Sequence, residues 1–362
     1  MKAIIKYGIL FPLLLASGKT FARQLNNLKA GPYKVGFRSI LRPDGQGKPL
    51  LICLWYPASA GGEKMTLKNY IVAGALSKDV ADTASTNGFK RVLELPFLFH
   101  LDKVPDDQYA KVLAMPLKAG QNAVPIKKRF PLVIASASPG NYPVTFEYLA
   151  SNGFVVASIT AKVEEAPNDT LLWPKPTDRL EYLLNYMIGQ PDIDTTRVAA
   201  FGHGGGIQPA FYLAMRTTRV KLLINMDGGV FGDRSKTTLS PDYKPAMLKV
   251  PMLHIITVSQ QKEDNARQLK VLSNPIYRVV IRSDEVQHHD FTMWGVVVAE
   301  ALHKRGASTK IVEEVYSNIH SIILYFLEEK KLDTPAINSS LFDYSLLSPQ
   351  DISKRPLRRT PG

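Results

Sequence analysis

The stretch Arg197-Val198-Ala199-Ala200-Phe201-Gly202-His203-Gly204-Gly205-Gly206 decides the fold. Residues 197–202 read as an apolar strand and Ile207–Arg216 as a helix, so a strand meets a helix through a turn made almost wholly of glycine. The same rhythm runs outward in both directions. Upstream lie an apolar run at Phe130–Ser136, a short amphipathic helix over Thr145–Asn152, a second run at Phe154–Thr160 and a helix over Thr177–Gly189. Downstream come apolar runs at Val220–Met226, Pro251–Val258 and Ile276–Ile281, then helices over Met293–Lys304 and Lys310–Lys331. Apolar strands without alternation are buried on both faces. Strands that alternate with helices predict an α/β fold, with a mostly parallel central sheet and helices on both faces.

Before this core, Tyr33–Arg42 and Pro49–Ala58 are β-rich and flank the turn sequence Pro43-Asp44-Gly45-Gln46-Gly47, which predicts an N-terminal β-hairpin. Residues from about 66 to 128 lack strand character and contain helix-like pieces such as Leu67–Leu76, so they read as a helical insertion. Residues 332–362 are rich in Ser, Pro and Arg and read as a loosely structured tail, which leaves 31–331 as the folded domain.

A chain of 362 residues buries enough apolar surface to need no metal or disulfide support. The lone cysteine, Cys53, sits in an apolar run and reads as an inert buried thiol. The net charge of +13 is spread over the chain without aromatic interleaving, so no nucleic-acid partner is expected. Residues 1–22 read as a signal peptide: Lys2 and Lys6 precede the short apolar run Tyr7–Ala16, and Ala22 offers a cleavage site. Export to a periplasm or the medium is the expectation. No later run is long enough for an integral membrane segment. The sequons at Asn168 and Asn338 matter only where the host glycosylates exported proteins.

In a parallel α/β sheet the reactive groups sit at the carboxyl ends of the strands. Four such ends stand out. Gly202 and Gly206 are the first and fifth positions of a Gly-x-Ser-x-Gly nucleophile-elbow frame whose central residue is Gly204. Met226-Asp227-Gly228 ends the next strand, and Gln287-His288-His289-Asp290-Phe291 follows the last one. Ser136-Ala137-Ser138-Pro139-Gly140 follows the first core strand. A nucleophile, an acid and a base in the chain order Ser, Asp, His define an α/β-hydrolase triad; the acid and base are present here and the serine is not.

The chain resembles the α/β-hydrolase superfamily, on the side of the platelet-activating-factor acetylhydrolases and dienelactone-hydrolase-like esterases. The likeness rests on Gly31–Gly36 with Leu54-Trp55-Tyr56-Pro57-Ala58, on Phe130–Ile134, on Leu149–Ala157, on Asp178-Arg179 and on Asp192 through Gly202, in that order. It implies Asp227 as triad acid and His288 as general base, with His289 as the alternative base. It also implies Gly205, Ala137 and Ser138 around an oxyanion, a small ester-like ligand, and no cofactor or metal. The chain departs from the family pattern twice, at Gly204 and at Ser136-Ala137-Ser138, where a Ser-His-Gly is usual.

Gly204 excludes covalent acyl transfer at that position, so a catalytically silent relative is the leading expectation. The alternative is an active ester or lactone hydrolase that uses Ser136 or Ser138 as a displaced nucleophile, or a water activated by His288. Two further readings are weaker. Gly202-x-Gly204 followed by Asp227 has some likeness to a dinucleotide fingerprint, but Ile207 breaks its pattern. His203, His288, His289 and Asp290 match no zinc-site spacing. Tyr142, Trp173, Phe291 and Trp294 read as core aromatics that border any pocket.

Overall fold

The computed structural model describes residues 28–43, 49–74, 106–159, 174–231, 237–263, 271–298, 309–329 and 340–347. The expected leader, Trp173, both sequon asparagines and the middle of the 66–128 stretch lie outside the described residues.

The chain opens with the hairpin. Strand β1 (Lys34–Pro43) pairs antiparallel with β2 (Pro49–Ala60) in a register that runs from Lys34↔Ala58 to Pro43↔Pro49. Then come β3 (Glu63–Thr66), α1 (Leu67–Ala73), α2 (Asp106–Leu113), β4 (Pro116–Gln121) and β5 (Val124–Pro125). The core follows as β6 (Phe130–Ser136), α3 (Pro143–Ser151), β7 (Val155–Ile159), α4 (Pro174–Ile188), β8 (Ile193–His203) and α5 (Ile207–Arg216). It continues through β9 (Leu222–Met226), β10 (Met252–Thr257), α6 (Val258–Glu263), β11 (Ile276–Ile281), α7 (Thr309–Leu327) and β12 (Phe342–Leu347).

All the strands join one sheet in the order β12-β11-β10-β9-β8-β6-β7-β2-β1-β4-β3, with β5 attached to β2. From β7 to β11 the neighbours are parallel. The unbroken apolar runs are explained by the two faces of this sheet. Val133 and Ala135 of β6 face a layer with α3 and α7, where Phe146, Leu149, Ile319 and Ile323 pack. Leu132 and Ile134 face the opposite layer, with Leu180 and Leu184 of α4 and Phe211 of α5. The connection after β6 leads to β7 on one side and the connection after β8 leads to β9 on the other, so the carboxyl ends of the neighbouring strands β6 and β8 part in opposite directions. That switch point is where an open α/β sheet forms a crevice.

Two expectations are corrected. The 66–128 stretch is not free of strands, because β4 and β5 join the sheet there. Pro116-Leu117-Lys118-Ala119-Gly120-Gln121 is too polar to signal a strand. Its pairing with β1 and β3 and its anchorage on a buried carboxylate hold it in place. Glu147 of α3 accepts hydrogen bonds from the backbone N–H groups of Lys118 and Ala119, both at 2.9 Å, and from the Tyr70 hydroxyl at 2.7 Å. The tail is also not loose throughout: β12 pairs antiparallel with β11 along Ile276↔Leu347 to Ile281↔Phe342. Only Phe342 and Leu347 of that strand are buried, so its apolar signal is weak, and the unpaired edge of β11 supplies the partner.

Candidate active site

At the end of β8 the backbone turns through Gly204–Gly206 and enters α5 directly. The sharpness of this turn requires glycine. A Cβ on Gly202 would fall 2.2 Å from Cα of Ile207 and 2.5 Å from its nitrogen, so strand and helix pass too closely for any side chain. A Cβ on Gly206 would fall 2.8 Å from the carbonyl oxygen of Ser136. Gly204 occupies the apex with φ of +53°, in the left-handed region. Gly205 has open space on the side where a Cβ would project. The N–H groups of Gly205 and Gly206 belong to a first helical turn, whose donors have no intrahelical acceptor.

Asp227 follows the last residue of β9 with φ of +44°, an unusual conformation for a residue other than glycine. Asn225 supports it by clamping the turn. The Asn225 side chain accepts from Gly228 N at 3.0 Å, donates to Gly228 O at 3.2 Å and meets the buried His254 ring at 2.9 Å. The buried Asp227 carboxylate accepts from the backbone N–H of Thr257 at 2.8 Å and from its hydroxyl at 2.9 Å, both on Oδ1. Its Oδ2 meets Nδ1 of His288 at 2.8 Å. Burial raises the carboxyl pKa, but the hydrogen bonds from His288 and Thr257 outweigh burial and hold it below its ordinary value. The ionised form is therefore the one this site accommodates.

With Nδ1 of His288 turned to Asp227, Nε2 points at the elbow. A Cβ on Gly204 would lie 2.8 Å from Nε2 and 3.0 Å from Cε1 of that ring. The family likeness implies His288 as the base, with His289 as the alternative; His288 is the one that reaches Asp227. His289 lies 3.5 Å from Oδ1 of Asp290 instead. Residues 288–291 form one tight turn in which Gln287 N donates to Oδ2 of Asp290 at 2.8 Å. That loop is tied to the loop after β6 by Asn141, whose carbonyl accepts from Met293 N at 3.0 Å and whose side chain accepts from Trp294 Nε1 at 2.8 Å.

Ser136, Ala137 and Ser138 follow on the other side of the elbow, half-buried at the end of β6. Neither serine hydroxyl is hydrogen-bonded to His288 among the described residues. Tyr142, Phe291 and Trp294 are buried core aromatics. Among the described residues, no group of three or more His, Cys, Asp or Glu side chains is arranged to hold a metal ion.

Sequence reading missed Thr257 and Asn225 as partners of Asp227 and missed the surroundings of His203. The His203 ring stacks on His288 with centroids 4.3 Å apart and planes 20° from parallel. Its Nδ1 is 2.6 Å from the Tyr142 hydroxyl and its Nε2 is 3.1 Å from the His288 carbonyl. Thr257 ends a strand next to β9, which is a legible signal. The stack joins residues 85 positions apart and has no local signature.

No protein-family model matches the chain, and no curated protein matches it. Solved structures do. A ferulic acid esterase from Streptomyces cinnamoneus superimposes with a TM-score of 0.60 at 16% identity, over 88% of this chain and 98% of the other. An acylaminoacyl peptidase from Pyrococcus horikoshii is 12% identical with a TM-score of 0.47, over 88% of this chain and 45% of that one. With the sheet order above, the esterase likeness defines the class: the chain has the α/β-hydrolase fold. Among the described residues no helix is long and apolar enough to cross a membrane.

Proposed function

We propose that this is an exported α/β-hydrolase-fold protein of the carboxylic-ester hydrolase type that binds a small ester-like molecule and forms no acyl-enzyme. The carrying observation is Gly204. It stands at the elbow apex, its missing Cβ directed at Nε2 of a histidine that is itself bonded to a buried carboxylate. In this reading Asp227 and His288 are an inherited acid and base, and Gly205 with Ala137 and Ser138 surrounds the carbonyl oxygen of the ligand. Loss of a triad serine removes on the order of 10⁶ in rate. The ferulic acid esterase of like fold supports an ester as the ligand class. Export rests on the leader over 1–22 and is checked by sequencing the mature N-terminus, expected at Arg23.

A second reading is favoured by the 2.8 Å contact between Asp227 and His288. Asp227 holds the Nδ1–H tautomer, which leaves the Nε2 lone pair as a base. A water beside Nε2 then attacks the ester carbonyl carbon and passes a proton to His288. The C–O bond breaks, the leaving alkoxide takes that proton, and acid and alcohol are released. General-base assistance of this kind is worth roughly 10²–10⁴-fold.

Hydrolysis of p-nitrophenyl acetate and butyrate by wild type, His288→Ala and Gly204→Ser separates the two. Wild type and His288→Ala both at background, with turnover appearing in Gly204→Ser, supports the silent reading. Wild-type turnover abolished by His288→Ala overturns it in favour of the water reading. Turnover that survives His288→Ala but is lost in Ser136→Ala or Ser138→Ala assigns a displaced serine instead.

A further inference from the structure

The Asp227 bond fixes only one edge of the His288 ring, and that side chain is 55% exposed. A ring held at one nitrogen can still swing about the bond. What limits the swing is the residue before the elbow apex. His203 lies face to face with His288, its centroid 4.3 Å away, and Phe291 stacks on His203 at 5.6 Å. His203 is itself pinned at both nitrogens. A carbonyl oxygen only accepts, so Nε2 of His203 carries the proton and donates to the His288 backbone oxygen at 3.1 Å. Nδ1 of the neutral ring then accepts from the Tyr142 hydroxyl at 2.6 Å. Tyr142 in turn is buried against Phe146 and Phe201 in the sheet core.

We infer that His203, held by Tyr142, is a positioning residue: a rigid platform that fixes both the backbone and the ring plane of His288, so that Nε2 faces the elbow apex. The inference deepens the proposed function, because it rests on Asp227 and His288 acting as a pair. His203 suits the task only while neutral, since two stacked imidazolium rings repel. Burial first, and then the neighbouring His288, push its pKa down to about 3, so the ring is neutral at ordinary pH. Asp227 and His203 contact the His288 ring, and His289 and Asp290 share its turn.

The test is imidazole NMR of His288, assigned by its absence in His288→Gln, in wild type, His203→Ala and His203→Phe. Wild type is expected to show a slowly exchanging Nδ1–H proton and ¹⁵N shifts of a single tautomer. His203→Ala removes stack and hydrogen bonds; it is expected to lose that proton to exchange and to move the two ¹⁵N shifts toward the tautomer average. His203→Phe keeps a stacking ring and is expected to retain most of the wild-type signature. Where His203→Ala does not fold, His203→Asn supplies a donor without a ring and is expected to behave like Ala. An unchanged Nδ1–H signal in folded His203→Ala or His203→Asn overturns the inference. The signal reports ring position whether or not any ester is turned over. A Gly204→Ser protein without activity therefore counts against the proposed function and not against this platform.

Discussion

The Cβ that Gly204 lacks would lie 2.8 Å from Nε2 of His288, closer than real side chains pack. The histidine ring thus reaches into the position that a side chain at the elbow apex would need. A serine at 204 fits only if the ring retreats by several tenths of an ångström. The ring tip is the far end of a side chain, so that movement is feasible.

Gly204→Ser and Gly204→Ala are therefore expected to fold with a loss of about 1–3 kcal/mol, most of it from the left-handed backbone at this position. Urea denaturation measures the loss. Only the serine variant can gain ester turnover. Equal stability in wild type and both variants would show that the apex is not strained.

Gly202 and Gly205 make an internal control three residues apart. Gly202→Ala places a methyl against the backbone of Ile207 and the Gly206 carbonyl, which cannot yield separately, and should cost about 3 kcal/mol or more. Gly205→Ala meets nothing within 4 Å and should stay within about 0.5 kcal/mol of wild type. A similar melting temperature for the two variants contradicts the tight crossing of β8 and α5.

Asp227→Ala leaves the Thr257 N–H and the His288 Nδ1–H without their acceptor and should destabilise by about 2–4 kcal/mol. The native carboxyl has a pKa below its ordinary value, so the unfolded chain binds more protons as acid is added. Its stabilising contribution is present above about pH 4 and is lost as pH falls through the lowered native pKa. Asp227→Asn should remove that part of the acid slope. Denaturation midpoints between pH 2 and 6 would show it, and parallel profiles for the two proteins would contradict it.

His320 is buried between α7 and α3, with Nδ1 donating to the Tyr316 carbonyl at 2.6 Å and Nε2 on the Thr145 hydroxyl at 3.0 Å. Burial pushes its pKa down to about 4. The unfolded chain takes up this proton near pH 6.5 and the native chain does not until about 4. Stability should thus fall as pH drops from 6.5 toward 4, and His203 acts in the same direction down to about 3. His320→Gln should flatten the slope in that window. If its midpoint falls with pH as steeply as that of wild type, His320 is not the group responsible.

The order of apolar runs and helices was enough to read the central sheet, because a strand covered on both faces must be apolar at every position, and that is a local property. The glycine turn at 202–206, the acid at a strand end and the histidine loop were legible for the same reason. Strands β4 and β12 were not, since a polar segment becomes a strand only when an edge such as β1 or β11 offers a partner. Sequence pointed to His288 as the base, with His289 as the alternative, only through the family likeness, and it could not place His203 under that ring. Those outcomes depend on how the loops after β6, β8 and β11 meet above the switch point, where Asn141 and the His288 carbonyl tie together segments far apart in the chain. Local pattern reports which face of an element is buried; which side chains meet across the crevice is decided by the packed sheet that brings the strand ends together.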